Sequence, residues 1–200
     1  MLKIALPSGK SLEEKTIELF TNAFISTERK GSSCHEVLFP DFPLIAKGKF
    51  IKPRRIPKLV ESGAYDVAIT GSDTVFETDA QIEMCTRLDY GRNSAGATRG
   101  VLFAHENHFV NSIRDIPSGS IVLSEYPELT KRYFERLFLE GITVVPSTGS
   151  VEAEVPDHYR FGVCLTETGR SLRENDLRVI ATIFESHTIL IANKDSNIRI

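Results

Sequence analysis

"PRRIPKLVESGAYDVAITGSD", residues 53–73, holds in one short run a helix, its stop, a buried strand and a small polar turn. Pro57 sits just inside the helix start, where its missing N–H loses no hydrogen bond, and Gly63 ends the helix. "DVAIT" (66–70) then reads as a strand and "GSD" as the turn beyond it. Helix, strand and polar turn in that order form the unit of an α/β layered fold. Upstream, "KIALP" (3–7) reads as a strand and "SLEEKTIELFTNAF" (11–24) has helical spacing. Ser11 and Glu14 fit a capping box there, and Leu12, Ile17, Leu19, Phe20 and Phe24 form the apolar stripe. "ERKGSSCHE" (28–36) reads as an exposed connection.

Downstream, "QIEMCTRLDYG" and "ATRGVLFA" read as longer strands that pass between two lobes. A second α/β set comes next: strand "SIVLS" (120–124), helix "PELTKRYFERLFLEG" (127–141) and strand "ITVVP" (142–146). Leu129, Tyr133, Phe134, Leu137 and Phe138 share that helix's apolar face, and Gly141 is its expected stop. Strand "RFGVCLT", a short helix "SLRENDL" and the strands "RVIATIFE" and "HTILIAN" complete the chain. No repeat or linker composition appears, so strands rather than a flexible hinge would join the lobes.

Two hundred residues can bury a substantial core, and 41% hydrophobic with 26% charged residues is ordinary for a globular protein. A net charge of −3 argues against a nucleic-acid or membrane-surface binder. No apolar run approaches the roughly 20 residues of a bilayer crossing. Met1 leads directly into "LKIALP" without the pattern of a secretory signal, so a cytoplasmic protein is expected. Cys34, Cys85 and Cys164 are odd in number and far apart, which points to reduced thiols rather than disulfides or zinc ligands. His35, His105, His108, His158 and His187 form no H-E-x-x-H pattern, and no protein metal cage is expected.

Three small loops come after strands: "PSGKS" (7–11), "TGSD" (70–73) and "ETGRS" (167–171). In open α/β sheets ligands gather at strand C-termini, where backbone N–H groups converge. Glycine permits close approach of a phosphate, hydroxyls donate hydrogen bonds, and Lys or Arg supplies charge. One such loop is more often a plain turn; the three together point to an anionic ligand. The last is the most specific. Glu167 can accept hydrogen bonds from vicinal sugar hydroxyls, while Thr168, Gly169, Arg170 and Ser171 offer amides, hydroxyls and a cation to a terminal phosphate. That ordering suits a ribose 5-phosphate. Elsewhere, Cys164 reads as buried filler, and His105 and His108 as a surface loop. Arg92 and Arg99 flank a small-residue turn and fit solvation or phosphate contact equally. "GSVEAEVP" reads as a helix opening whose Glu152 could reach a ligand.

The segments "IALPSGKSLEE", "RIPKLVESGAYDVAITGSD", "LDYGR", "LSEYPELTKRYF", "GSVEAEVP", "ETGRSLRENDL" and "LIANK" resemble, in order and spacing, the short form of the ATP phosphoribosyltransferase family. The likeness covers nearly the whole chain. It implies an α/β, two-lobed fold like that of periplasmic binding proteins, with mixed sheets and a cleft between the lobes. Residues 1–88 and 178–200 would form the first lobe and 89–177 the second. The implied reaction is the first step of histidine biosynthesis: N1 of ATP displaces pyrophosphate from C1 of phosphoribosyl pyrophosphate, with Mg2+ carried on the pyrophosphate. By resemblance, Glu167, Thr168, Gly169, Arg170, Ser171 and Leu172 would hold the phosphoribosyl donor. Lys10, Gly71, Asp73 and Glu152 would hold ATP, and Lys10, Lys52 and Arg54 would act on the polyphosphates as catalytic cations. Short members work as oligomers, a dimer or a hetero-octamer, with a histidyl-tRNA-synthetase-like regulatory subunit, and lack a C-terminal regulatory domain; this chain ends where such a domain would begin.

Displacement at an anomeric carbon passes through an oxocarbenium-like state, so positioned cations and a metal-bound pyrophosphate suffice. No Ser-His-Asp arrangement is legible or required. Where the family carries aspartates in the strand before the last loop, this chain has Phe161 and Cys164. Arg55 replaces an acid, and "SGK" replaces "KGR". These exchanges bear on the acceptor and leave two alternatives: a transferase with another acceptor, or a binding subunit without turnover.

Overall fold

The computed structural model describes residues 1–31, 33–89, 98–147 and 149–195, with the backbone alone at residue 46. The β-branched runs pair into two mixed sheets. In chain order the first half gives β1 (Leu2–Pro7), α1 (Lys10–Asn22), β2 (Glu36–Val37), β3 (Ile45–Ile51), α2 (Ile56–Glu61), β4 (Val67–Gly71), α3 (Ser72–Thr78) and β5 (Ile82–Arg87). The rest gives β6 (Thr98–His105), β7 (Ile121–Ser124), α4 (Pro127–Arg136), β8 (Thr143–Pro146), β9 (Phe161–Thr166), α5 (Arg170–Glu174), β10 (Leu177–Ser186) and β11 (Thr188–Asn193).

The first sheet has the order β2-β3-β1-β4-β11-β5, with β3, β1 and β4 parallel. Apolar residues cover both its faces, as expected for a parallel centre flanked by helices. Ile4 and Leu6 point to a core with Phe20 of α1, Phe39 and Phe50, whereas Ala5 and Ala68 face Ile56 and Val60 of α2. The second sheet runs β10-β6-β9-β7-β8, with β9, β7 and β8 parallel. One face packs Leu102, Val122, Phe161 and Val163 with Phe134 of α4; the other packs Val101, Phe103 and Cys164 with Leu172 of α5.

The chain divides into one unit of Met1–Gly96 with His187–Ile200 and another of Ala97–Ser186. The sequence reading assigns 178–186 to the first lobe and ends that lobe's opening segment at residue 88. The return crossing instead falls at Ser186, because β10 pairs antiparallel along β6 from Leu177–His105 to Ser186–Thr98. An apolar strand pattern does not disclose which sheet supplies its partner.

Two local expectations also change, and a third is refined. The helix near the start begins at Lys10 with Gly9 as its cap, so Ser11 and Glu14 form no capping box; the Gly9 N–H donates instead to Glu13 Oε1 at 3.2 Å. The described residues of 28–36 are mostly exposed, as expected of a connection, but the run is pinned at both ends: Arg29 pairs with Glu13 at 3.0 Å, and Glu36 pairs with Lys49 of β3. Finally, both long helices stop early, and each stops on a phenylalanine. Phe24 (φ 58) and Phe138 (φ 56) occupy the left-handed position just past the helix, and Gly141 lies beyond the true end of α4. Ile25 N–H donates to the Phe20 carbonyl, and Leu139 N–H to that of Phe134, each closing the six-to-one bond of a Schellman motif. The reversal turns the rings outward, to 96% and 90% exposure, so neither belongs to the apolar stripe that helical spacing assigns it. Glycine is the residue this position favours. Phe24→Gly and Phe138→Gly are each expected to raise stability by about 0.5–1 kcal/mol, read as a higher denaturant midpoint at unchanged m-value.

Candidate active site

In the second unit β9 ends at Thr166, and its hydroxyl shapes the turn beyond the strand. Thr166 Oγ1 accepts the Gly169 N–H at 2.8 Å, and Thr168 Oγ1 accepts that of Arg170 at 3.3 Å. These short-range bonds drive the strand into a tight turn, with Gly169 left-handed (φ 68) and buried at the start of α5. Of the first-turn amides that lack helical acceptors, two are thus taken locally; those of Ser171 and Leu172 belong to the same turn. Arg173 Nη1 donates to the Thr168 carbonyl at 2.8 Å, and Arg170 pairs with Glu174 at 2.7 Å.

Glu167, at the strand exit, is the anomaly. Both carboxylate oxygens are buried, and neither has a hydrogen-bond partner among the described residues. Burying a carboxylate without donors is costly, and both oxygens keep their full capacity to accept hydrogen bonds from a ligand or water. Two acceptor oxygens side by side match a pair of hydroxyl donors.

The neighbouring strand ends lie at the same edge. Glu125 N–H donates to the Val163 carbonyl at 3.0 Å, and Ser147 N–H to that of Ser124 at 2.8 Å. A 3-10 turn, Val151–Ala153, then carries Glu152, whose Oε1 accepts the Ser171 hydroxyl at 3.1 Å. Glu152, grouped with Lys10, Gly71 and Asp73 in the sequence reading, therefore stands against residues 167–172. Arg99, the second residue of β6, pairs with Thr166 on one side and Glu185 on the other, and it is exposed. Arg92 lies outside the described residues. Sequence reasoning missed Thr166, although a hydroxyl three residues before a glycine is a legible turn signal.

In the first unit the parallel strands β3, β1 and β4 deliver three segments to one sheet edge. Ser8 N–H donates to the Ile51 carbonyl at 2.8 Å, and Thr70 Oγ1 approaches the Pro53 carbonyl at 3.5 Å and Thr74 Oγ1 at 2.9 Å. Lys10, Lys52 and Arg54 are exposed there, with Gly71 at the start of α3. Asp73, next along that helix, is only 5% exposed. Ser72 is fixed by a reciprocal pair, its N–H to the His187 carbonyl at 2.9 Å and its hydroxyl accepting the His187 N–H at 3.1 Å. The structure thus gathers Lys10, Lys52, Arg54, Gly71 and Asp73 in one unit and residues 167–172 with Glu152 in the other.

The model of the family described as HisG: ATP phosphoribosyltransferase matches residues 52–199. The chain belongs to the ATP phosphoribosyltransferase family. It is 38% identical over 200 residues to the ATP phosphoribosyltransferase of Chlorobium phaeobacteroides, across 98% of this chain and 65% of that protein. The chain therefore spans about two thirds of the length of such curated relatives. Among solved structures, it superposes on the ATP phosphoribosyl transferase (HisG:HisZ) complex from Thermotoga maritima with a TM-score of 0.76 and 27% identity, covering 96% of this chain and 88% of that one. The probable amino-acid ABC transporter extracellular-binding protein ytmK from Bacillus subtilis gives a TM-score of 0.56 at 8% identity, over 98% of this chain and 85% of that one, a likeness of fold alone. The architecture is thus an α/β, periplasmic-binding-protein-like fold with two mixed sheets.

Within this ATP phosphoribosyltransferase fold, the exchanged residues ahead of the turn belong to the core. Phe161 is buried, and His108 meets its ring edge-on at 5.0 Å. Burial pushes the Cys164 thiol far above its usual range, reinforced by the carboxylates of Glu152 and Glu125, so it stays protonated and is no nucleophile. No helix among the described residues is long and apolar enough to cross a membrane.

Proposed function

We propose that the chain transfers the 5-phosphoribosyl group from phosphoribosyl pyrophosphate to N1 of ATP, releasing pyrophosphate, as the first step of histidine biosynthesis. The observation that carries this reading is the partnerless Glu167 carboxylate set directly before a glycine turn. Glu167 accepts the ribose hydroxyls, and the amides of Ser171 and Leu172, with the Thr168 and Ser171 hydroxyls, hold the 5-phosphate. Glu152 keeps Ser171 in place, and Arg99 and Arg170 add positive charge. Lys10, Gly71 and Asp73 bind the nucleotide; Lys10, Lys52 and Arg54 neutralise the polyphosphates. The N1 lone pair forms the new bond to C1 as the C1–O bond to pyrophosphate breaks, and the departing oxygen takes that bond's electrons. Fixed cations stabilise this charge separation. Mg2+ enters as part of the substrate on pyrophosphate oxygens; the described residues hold no group of three metal-ligating side chains.

A cytoplasmic oligomer fits this role, and the HisG:HisZ assembly of the Thermotoga maritima relative supports a histidyl-tRNA-synthetase-like regulatory subunit as partner. Calorimetric titration with magnesium phosphoribosyl pyrophosphate, followed by ATP, tests the reading. Donor binding and pyrophosphate release matching ATP consumption are expected. Tight donor binding without release, with ATP or other acceptors and with the partner subunit supplied, would replace it by a binding module.

A further inference from the structure

At the amino-terminal ends of β7 and β9, the end of the second sheet away from residues 167–172, lies a pocket of about 320 Å³. That volume is at the lower end of small-molecule sites. Its lining includes His108, Phe109, Ser118, Ile121, His158 and Arg160, all from one unit.

Two arginines bring positive charge there. Arg160 is exposed and has no carboxylate partner among the described residues. Arg178 stands close to His108, and its guanidinium is held by the carbonyls of Glu106, His108 and Val110 and by Asn111 Oδ1. These acceptors are neutral, so they fix the 106–111 loop without removing the charge. Burial, then Arg160 and Arg178, hold His108 below its usual pKa, and no carboxylate opposes them. His108 Nδ1 accepts the Val110 N–H at 3.2 Å, which leaves the proton of the neutral ring on Nε2 as a donor.

Beside these cations is flat apolar surface. Phe109 is 68% exposed and stacks on His108 with centroids 4.6 Å apart, and Ile121 is 47% exposed. We propose that this pocket binds a small organic anion, with a carboxylate or phosphate head on Arg160 and the histidines and a planar apolar body against Phe109 and Ile121. Arginine presents a fork that matches either head group, and an aromatic face accepts a planar body without rearrangement. None of these residues serves the transferase chemistry, so the inference stands whether or not that reading does.

Titrating the isotope-labelled full chain with benzoate and phenyl phosphate, and with benzyl alcohol as the neutral control, tests this by amide chemical shifts. Saturating shifts at Phe109, Gly119, Ile121 and Arg160 are expected, at dissociation constants of about 1 mM or below, with residues 167–172 unmoved by benzoate. Arg160→Ala, at an exposed position, is expected to weaken binding about tenfold, and Phe109→Ser to weaken it further. The anion that saturates at the lower concentration assigns the head group. No saturation by either anion, shifts confined to residues 167–172, an equal response to benzyl alcohol, or unchanged affinity in Arg160→Ala would overturn the proposal.

Discussion

Gly169→Asp is expected to weaken binding of phosphoribosyl pyrophosphate by about a hundredfold or more while leaving the protein folded. Gly169 is left-handed (φ 68), a conformation that Asp tolerates better than most L residues. A Cβ there would meet only Arg173 Nη1, at 3.2 Å, the far end of a flexible side chain. The fold therefore accepts the change, whereas the ligand does not. A carboxylate at this turn stands within about 5–6 Å of the phosphate proposed to rest on the Ser171 and Leu172 amides, and at an effective dielectric of about 20 each unit charge pair is repelled by about 3 kcal/mol. That is roughly a hundredfold in affinity. Gly169→Ala separates backbone strain from charge, and a loss of only about tenfold is expected for it. Calorimetry with thermal unfolding on the same samples reads both. Wild-type affinity in a folded Gly169→Asp protein would remove the turn from the donor site.

The turn was open to prediction because its causes are local. Thr166, Thr168, Gly169 and Arg170 bond to one another within three residues, so strand, glycine turn and helix can be read in line. The run 53–73 was legible for the same reason, with Pro57 in the first turn of α2 and Gly63 left-handed after it. Features that depend on partners far along the chain were not. β3 carries the polar run Lys47, Gly48 and Lys49, which sequence reasoning left without an element, and it is a strand because β1 and β2 flank it; at Gly48 a Cβ would lie 3.0 Å from Phe39. β10 is apolar enough for either sheet, and only its pairing with β6 decides.

The helix ends failed differently. Spacing alone extends each apolar stripe to Phe24 and Phe138, but a hydrogen bond from the next residue ends the helix first. At the site, resemblance groups Glu152 with the nucleotide residues, and the contact that ties it to Ser171 spans nineteen positions. Arg99 gained meaning only from the register that sets it opposite Thr166. The pocket at the amino-terminal ends of β7 and β9 draws on residues from 108 to 161 and has no motif.

Glu167→Gln is expected to change stability and binding in opposite directions. In the free protein both carboxylate oxygens are buried without donors among the described residues, so their desolvation is uncompensated and burdens the folded state. An amide of the same shape is neutral, and its desolvation is less unfavourable; the variant is expected to be more stable by about 1–2 kcal/mol in denaturant unfolding. Donor binding should weaken about 10–100-fold, because hydrogen bonds from two ribose hydroxyls to a carboxylate contribute about 1.5–3 kcal/mol each, whereas an amide offers a single oxygen. Linkage then offsets the stability gain as ligand is added. Saturating donor stabilises the native protein in proportion to the logarithm of its affinity, so the variant that unfolds later alone should gain less from the donor. A carboxylate with only a structural role predicts the contrary pattern, in which Glu167→Gln lowers stability and leaves donor affinity unchanged. Unfolding curves of both proteins, with and without magnesium phosphoribosyl pyrophosphate, therefore distinguish a group kept for a ligand from one kept for the fold.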